Sequence, residues 1–444
     1  MRNWLIQIAL CGVATLAAVV AFIVSADVFA LYGARLTRAV PQNLRLTTSG
    51  DRTIKALEIA AMRERLDLLF IGSSRVAFAF DPDAPILAGL RSYNAGLHGS
   101  HSIEAAAVLD YALERGPATA RVVWNVDFEE FYRESKGSGD FAQSPFAGAS
   151  TLRGMMRHTL SYEALRKSTA IYFGWQSFYM DVSGFYHYER QKASQLVNGR
   201  DHAALPTMRD WFPPYIVQPQ DGFAATGAER FARIVAAIRH ARARGVAVDV
   251  VCMPSHVARR AMFDLAGLQP KYEEWKRRLA EAVAEAGAGD GPPVRGFDFC
   301  EADEVARSAF RPAGPLDRSP LFFELVHPKP IIGEMIVARL LDRPPPLPPE
   351  PGFGDPFAES AKPERLAADR AAVRRWEAEN PQLVAFITGV IEANDRRPPA
   401  AIADAPAGAQ NHDAQDAQHA QDAQHAQDAQ HAQDAHESAL AARP

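Results

Sequence analysis

The sequence predicts an α/β protein: a mostly parallel sheet with helices on both faces, a three-layer α/β/α sandwich, preceded by one membrane-crossing helix. Three observations carry this. Short Val- and Leu-rich runs at 66–72, 121–127, 246–254 and 294–300 read as strands buried on both faces. Segments of helical period alternate with them, and an apolar run of bilayer length opens the chain. At 444 residues, 48% hydrophobic and 23% charged, the chain can bury a sizeable core in one large or two ordinary domains. The net charge of -5 and the lack of a Lys/Arg block exclude nucleic acid as an expected partner.

From Trp4 to Ser25 only Gln7 interrupts the apolar run, and Arg2 precedes it, so residues 1–26 are an anchor or signal segment. Val24-Ser25-Ala26 fits a cleavage pattern, but the run is longer than a typical signal core, which favours a retained anchor. The positive end stays inside and the body is exported, although Arg35, Arg38 and Arg45 weaken the charge asymmetry. Residues 27–57 read as a juxtamembrane linker and 58–342 as the main domain. Within it the expected order is strand 66–72, strand 93–96, helix 102–115, strand 121–127, helix 227–244, strand 246–254, helix 272–286, strand 294–300 and helix 330–341.

An insertion at 128–222 interrupts this pattern and carries Tyr172, Phe173, Trp175, Phe178, Tyr179, Phe185, Tyr186 and Tyr188. Such aromatics can stack on sugar rings as a lid, but packing into their own domain is the favoured reading. Residues 343–398 combine a stiff linker (Pro344, Pro345, Pro346, Pro348, Pro349) with two short helices, 360–379 and 381–394, that dock back or bind a partner. Residues 399–444 repeat Ala-Gln-Asp-Ala-Gln-His. His419, His425 and His431 recur every six residues, which does not align them on one helical face, so the tract reads as a disordered tail rather than a metal site. Three cysteines, Cys11, Cys252 and Cys300, exclude a disulfide framework; a single Cys252–Cys300 bridge stays open if neighbouring strands meet there.

Two segments carry the chemistry. The first predicted strand ends in Gly72-Ser73-Ser74-Arg75, a small-residue turn that exposes a serine hydroxyl at the carboxyl edge of the sheet, where such folds place their sites. A serine needs a base within hydrogen-bond reach, and Glu324-Leu325-Val326-His327 offers an imidazole with a carboxylate three residues before it to fix the tautomer. Ser74 is the candidate nucleophile, His327 the base and Glu324 the orienting acid. His256, after another strand, is the rival base. Asp127 is either a pocket carboxylate or an N-cap for 128–132. His98 and His101 lie beside the expected pocket, as substrate contacts or as loop and cap residues. No phosphate loop or zinc spacing occurs, so no cofactor or metal is implied.

These residues resemble the SGNH (GDSL-like) hydrolases, over about residues 20–342. Gly72-Ser73-Ser74 is similar to the first block of that family, with Ser73 in place of the usual Asp; Tyr93-Asn94-Ala95-Gly96 is similar to the second, and Glu324 to His327 to the last. Closer still is the likeness to membrane-anchored bacterial proteins related to those that acetylate or deacetylate exopolysaccharide, in which Asp27-Val28-Phe29, Arg45, Lys55, Arg75, Val126-Asp127-Phe128 and the stretch from Phe323 to Gly333 have counterparts. The resemblance implies a serine-dependent acyl esterase or O-acyltransferase on an exported polysaccharide, held in the inner membrane with its body in the periplasm, with a membrane acyltransferase as a partner. It implies an oxyanion hole from the amides of Ser74 and Gly96 with Asn125 as a third donor. By their place beside the expected pocket, Arg75, His98, His101, Asp127 and His256 are candidate substrate contacts. The chain departs from the family twice: the third block lacks the usual Gly-x-Asn-Asp, and the acid is Glu324. Both departures leave open a non-catalytic scaffold or glycan-binding member.

Overall fold

A computed structural model describes residues 2–32, 44–46, 51–131, 140–173, 180–188, 223–308, 320–348 and 352–395. A short ribbon pairs β1 (Leu44–Arg45) with β5 (Met180–Asp181). The main sheet contains β2 (Leu66–Ile71), β3 (Ser92–Asn94), β4 (Thr119–Asn125), β6 (Ala247–Cys252), β7 (Val294–Asp298) and β8 (Asp355–Pro356), in the order β3-β2-β4-β6-β7-β8. The first five are mutually parallel and β8 runs antiparallel at the edge. Because β2 has β3 on one side and β4 on the other, the chain winds away from it in both directions, and the crevice at its carboxyl end is the switch point of the sheet.

The helices are α1 (Arg2–Ala26), α2 (Asp51–Ala61), α3 (Ser74–Ala79), α4 (Ser102–Arg115), α5 (Thr151–Thr159), α6 (Tyr162–Tyr172), α7 (Phe223–Ala243), α8 (Val257–Leu265), α9 (Gln269–Gly287), α10 (Pro330–Leu341), α11 (Phe357–Ser360), α12 (Pro363–Glu379) and α13 (Pro381–Asp395). The period-two geometry of strands divides the Val/Leu runs between two cores. Leu69, Ile71, Val122, Trp124, Val248 and Val250 pack with Leu109 of α4, Ile238 of α7 and Leu279 of α9. Leu68, Phe70, Val123 and Val251 pack on the opposite face with Val76 of α3 and Ile332 and Ile336 of α10. Each fully buried Val, Leu or Phe contributes about 1.5–3 kcal/mol, so burial on both sides is what selects these runs as central strands. All the expected strands and helices of the main domain form, most within a few residues of their expected ends.

Two expected boundaries move. The linker reading of 27–57 fails at its end, because α2 begins at Asp51 and buries Arg52, Ile54 and Lys55 in the body. The body also continues past 342. The strand β8 extends the sheet, and Val373, Trp376, Leu383 and Ile387 of α12 and α13 join the larger core. Asp369 of α12 ties this segment down, pairing with Arg260 at 2.9 Å and accepting from Ala302 N at 2.8 Å. Residues 396–444, including the repeat histidines, lie outside the described residues.

The bridge that the sequence left open is formed. Parallel pairing sets Cys252 opposite Asp298, and the chain curls back two residues later so that Cys252 and Cys300 are disulfide-bonded with Cα atoms 5.8 Å apart. Cys11 is free. The helix α1 contains a stretch, Asn3–Ala26, long and apolar enough to cross a membrane.

Candidate active site

Ser74 opens α3 directly after β2, and the turn that turns it outward depends on Gly72. Gly72 has φ +145°, which residues with a side chain rarely adopt, and a Cβ there would lie 2.7 Å from Val76 Cγ2. Ser73 caps α3: its Oγ accepts from Arg75 N at 3.4 Å and donates to Asp127 Oδ2 at 2.6 Å. The turn is therefore pinned to the end of β4, where Asp127 stands.

The chain closes a loop of 253 residues to bring His327 Nε2 within 2.8 Å of Ser74 Oγ. Glu324 completes the relay. Its Oε1 bonds His327 Nδ1 closely and accepts from His327 N at 3.0 Å, while Oε2 accepts from Val326 N at 2.7 Å. A carboxylate only accepts, so Nδ1 carries the ring proton and the Nε2 lone pair faces the serine hydroxyl. The extra methylene of glutamate is absorbed by this tight turn, which Phe323 N closes on His327 O at 2.9 Å. Three further ties fix the loop: a bridge between Phe322 and Pro328, His256 N donating to Leu325 O at 2.9 Å, and Arg75 Nε donating to Val326 O at 3.2 Å.

Arg75 is the hub beneath the site. Its guanidinium pairs with Asp127 Oδ1 at 2.5 Å and donates to Met253 O and Pro254 O, each at 2.5 Å, so one side chain joins the ends of β4 and β6 to the histidine loop. Burial alone would raise the Asp127 pKa. Arg75, with the side chains of Ser73 and Asn125, outweighs it and holds the carboxyl below its usual range. Asp127 is thus a charged partner under the site. Arg75 and Asp127 are spent on each other and on the backbone rather than turned to a substrate.

The predicted oxyanion hole is changed by the geometry. The Gly96 N–H is given to Asn94 Oδ1 at 2.9 Å, and a Cβ on Gly96 would lie 2.6 Å from Ala77 N, so its role is close packing against α3. Asn125 Oδ1 accepts from Met253 N at 3.0 Å, tying β4 to the end of β6. That bond uses the acceptor only: Asn125 Nδ2, the atom that would donate to an oxyanion, is buried without a hydrogen-bond partner among the described residues, so of the three proposed donors the Gly96 amide alone is committed elsewhere. His256, the rival base, has both ring nitrogens engaged: Nδ1 accepts from Ala258 N at 3.2 Å as the cap of α8, and Nε2 reaches Ser308 O at 3.1 Å. His101 sits at the start of α4 with both ring nitrogens buried without a hydrogen-bond partner among the described residues, Nε2 lying 3.9 Å from Glu104 Oε1.

His98 is closer to the chemistry. Its ring meets Phe78 edge-on at 5.0 Å and Tyr186 at 4.8 Å, and its Nε2 is buried without a hydrogen-bond partner among the described residues. Phe78 also packs on His327 at 4.8 Å, and Tyr188 stacks on Phe78 at 4.5 Å. These two rings form the wall of the site and were not singled out from the sequence. Phe78 follows Ser74 by four residues, a helical spacing that places both on one face and could have found it. Tyr188 carried only the general aromatic signal of the insertion. Of that segment, Phe185 and Tyr186 are buried in their own domain as expected, Tyr172 and Phe173 are exposed, and Trp175, Phe178 and Tyr179 lie outside the described residues.

A buried cation supports the neighbouring loop. Lys55 Nζ donates to Asn94 O (2.9 Å), Gly96 O (2.6 Å) and Gly184 O (3.0 Å), binding α2 to β3 and to the insertion. Burial, with Arg45 adding to it, pushes its pKa down to about 7.

Burial also pushes the imidazoles of His98 and His256 down to about 4. Unfolded, each titrates near 6.5, so between these values the unfolded chain binds more protons than the folded one. The stability these two histidines contribute is therefore complete above about pH 6.5 and is lost as the pH drops toward 4. At pH 5.5 the loss is about 1.4 kcal/mol per histidine, or ~3 kcal/mol for the two. Glu130 and Glu301, whose carboxyl pKa burial raises to about 7, contribute stability as the pH falls over the same range, so the histidine share is read as the difference in urea midpoints at pH 7.5 and 5.5 between the wild type and the His98→Gln/His256→Gln protein. An unchanged acid slope in that variant would refute this origin.

No protein-family model and no curated protein sequence matches the chain.

Proposed function

We propose that this protein is a serine-dependent acyl esterase or O-acyltransferase of SGNH type, acting on an exported cell-envelope or extracellular polysaccharide. The observation that carries the reading is the continuous relay Ser74 Oγ, His327 Nε2 and Nδ1, Glu324 Oε1. Ser74 Oγ attacks the ester carbonyl carbon as its proton passes to His327 Nε2. The tetrahedral oxyanion then collapses, the bond to the leaving oxygen breaks, and His327 returns the proton to that oxygen. Water or a sugar hydroxyl next gives its proton to His327 and takes the acyl group, which restores the serine. Glu324 holds the imidazolium in place throughout. The polysaccharide substrate and the membrane acyltransferase partner come from the family resemblance alone.

Export to the periplasm is part of this proposal. The Cys252–Cys300 bridge supports it, since structural disulfides persist in oxidising compartments, and α1 supplies an anchor. One observation favours a second reading, a non-catalytic scaffold or glycan-binding accessory: the Gly96 amide is spent on Asn94, which removes a donor whose loss typically costs about 3 kcal/mol in the barrier.

A fluorophosphonate probe separates the two. The active enzyme is expected to label covalently in the wild type and to lose that label in Ser74→Ala. A folded wild-type protein that stays unlabelled and leaves acetyl esters intact would establish the scaffold reading instead.

A further inference from the structure

We propose that α5 and α6 form a lipid-facing platform that seats the domain on the surface of the membrane that α1 crosses. The inference rests on α1 spanning the bilayer and is independent of the chemistry at Ser74. Its apolar stretch of 24 residues is about 36 Å long at 1.5 Å per residue, against a hydrocarbon core of about 30 Å, so its last turn lies at the headgroup level.

The helix α6 packs beside that end of α1. Ala164, Leu165 and Ile171 cluster with Val19, Phe22, Ile23 and Ala26, and Tyr172 stacks on Phe22 at 5.0 Å and meets Ser25 Oγ at 3.3 Å. Phe22 precedes the helix end by four residues, about 6 Å along the axis, so Tyr172 stands at the border of headgroups and hydrocarbon. Aromatic side chains favour that depth.

Around this point the surface is apolar. Leu152 is 65% exposed, Met156 48%, Leu160 60%, Tyr162 79% and Phe173 62%. Leu152, Met156 and Leu160 recur at i, i+4 and i+8, one stripe along α5 and its C-cap. The opposite face buries Gly154 against Thr53 of α2, where a Cβ would lie 2.7 Å from Thr53 Cγ2. Exposed Arg153 and Arg157 flank the stripe, a composition suited to acyl chains with anionic phosphates beside them. Continuity with α1 selects the bilayer as the occupant, since this surface begins where the anchor leaves the membrane.

A consequence reaches the site. The helix α2 lies between the platform and the site: Thr53 meets α5, while Arg52 donates to His98 O at 3.0 Å and Lys55 holds Gly96 O. The crevice at Ser74 is thus held near the bilayer, in reach of a substrate emerging at its surface.

The test uses the full chain in phosphatidylcholine/phosphatidylglycerol vesicles, with an NBD fluorophore on single cysteines and quenching by acyl-chain doxyl lipids. Native Cys11 in α1 is the positive position; in the Cys11→Ser background, Leu152→Cys and Met156→Cys report the platform and Glu281→Cys, exposed on α9, reports the aqueous side. Labels at 11, 152 and 156 are expected to be quenched several-fold more than at 281. Quenching at 11 with 152 and 156 matching 281 overturns the platform, and an unquenched label at 11 removes its premise. A blue shift at 152 and 156 that grows with protein density without lipid quenching assigns the face to a second copy and also overturns it.

Discussion

His327→Gln is expected to slow acyl-enzyme formation by roughly 10^4-fold or more, with substrate affinity little changed, because the imidazole acts only as the proton moves. The variant keeps much of the side-chain volume against Phe78, which packs on the ring at 4.8 Å, so the fold should survive and loss of activity can be read as chemistry. Glu324→Gln is a sharper probe of the same relay. Both carboxylate oxygens accept from donors, Oε2 from Val326 N and Oε1 from His327 N and Nδ1, and an amide cannot accept on both sides. Glutamine must turn its NH2 toward another N–H, so this change should lower the rate and also loosen the loop. Single-turnover kinetics with an activated acetyl ester, paired with thermal melts, measures both effects. A His327→Gln enzyme within tenfold of the wild type would remove the relay from the mechanism.

Arg75→Met should destabilise the protein by about 3–5 kcal/mol, the usual result of deleting one partner of a buried pair. The cost has identifiable parts: the half-buried Asp127 loses its nearest cation, and the carbonyls of Met253, Pro254 and Val326 lose their donor. Adding Asp127→Asn should recover a measurable share of the loss, since it removes the uncompensated charge while leaving the carbonyls unpaired. Urea denaturation of the four members of this cycle gives the coupling. Because Val326 O holds the residue next to His327, the single variant should also lose activity beyond what its stability explains. Additive free energies across the cycle would show that the pair is not coupled and that Arg75 acts on the backbone alone.

The site was legible where its parts are local. Glu324 and His327 are three residues apart, so one turn makes the acid–base contact, and Gly72-Ser73-Ser74 declares a tight turn after a strand. The role of Arg75 as a tie to the backbone, rather than a substrate contact, is not legible locally because its partners, Met253 and Pro254, lie 178 and 179 residues away in the chain. Gly96 was assigned to the oxyanion hole by resemblance, and only the rotamer of Asn94, two residues before it, shows where its amide points. The end of the domain was set too early at 342 because the Pro-rich stretch reads as a linker, whereas β8 and the apolar faces of α12 and α13 find cover only against the far edge of the sheet.

By itself, the sequence determined the α/β class, the succession of the central strands along the chain, the apolar N-terminal helix and the serine, histidine and glutamate as candidates. Periodicity and turn chemistry are local consequences of which side chains must leave water, and they are written along the chain. The tertiary structure alone decided that Ser74 and His327 meet, that Cys252 and Cys300 bond, and that Gly96 and His256 are engaged elsewhere. Each of those depends on how two faces distant in sequence pack, and packing at ångström precision has no signature in a local pattern.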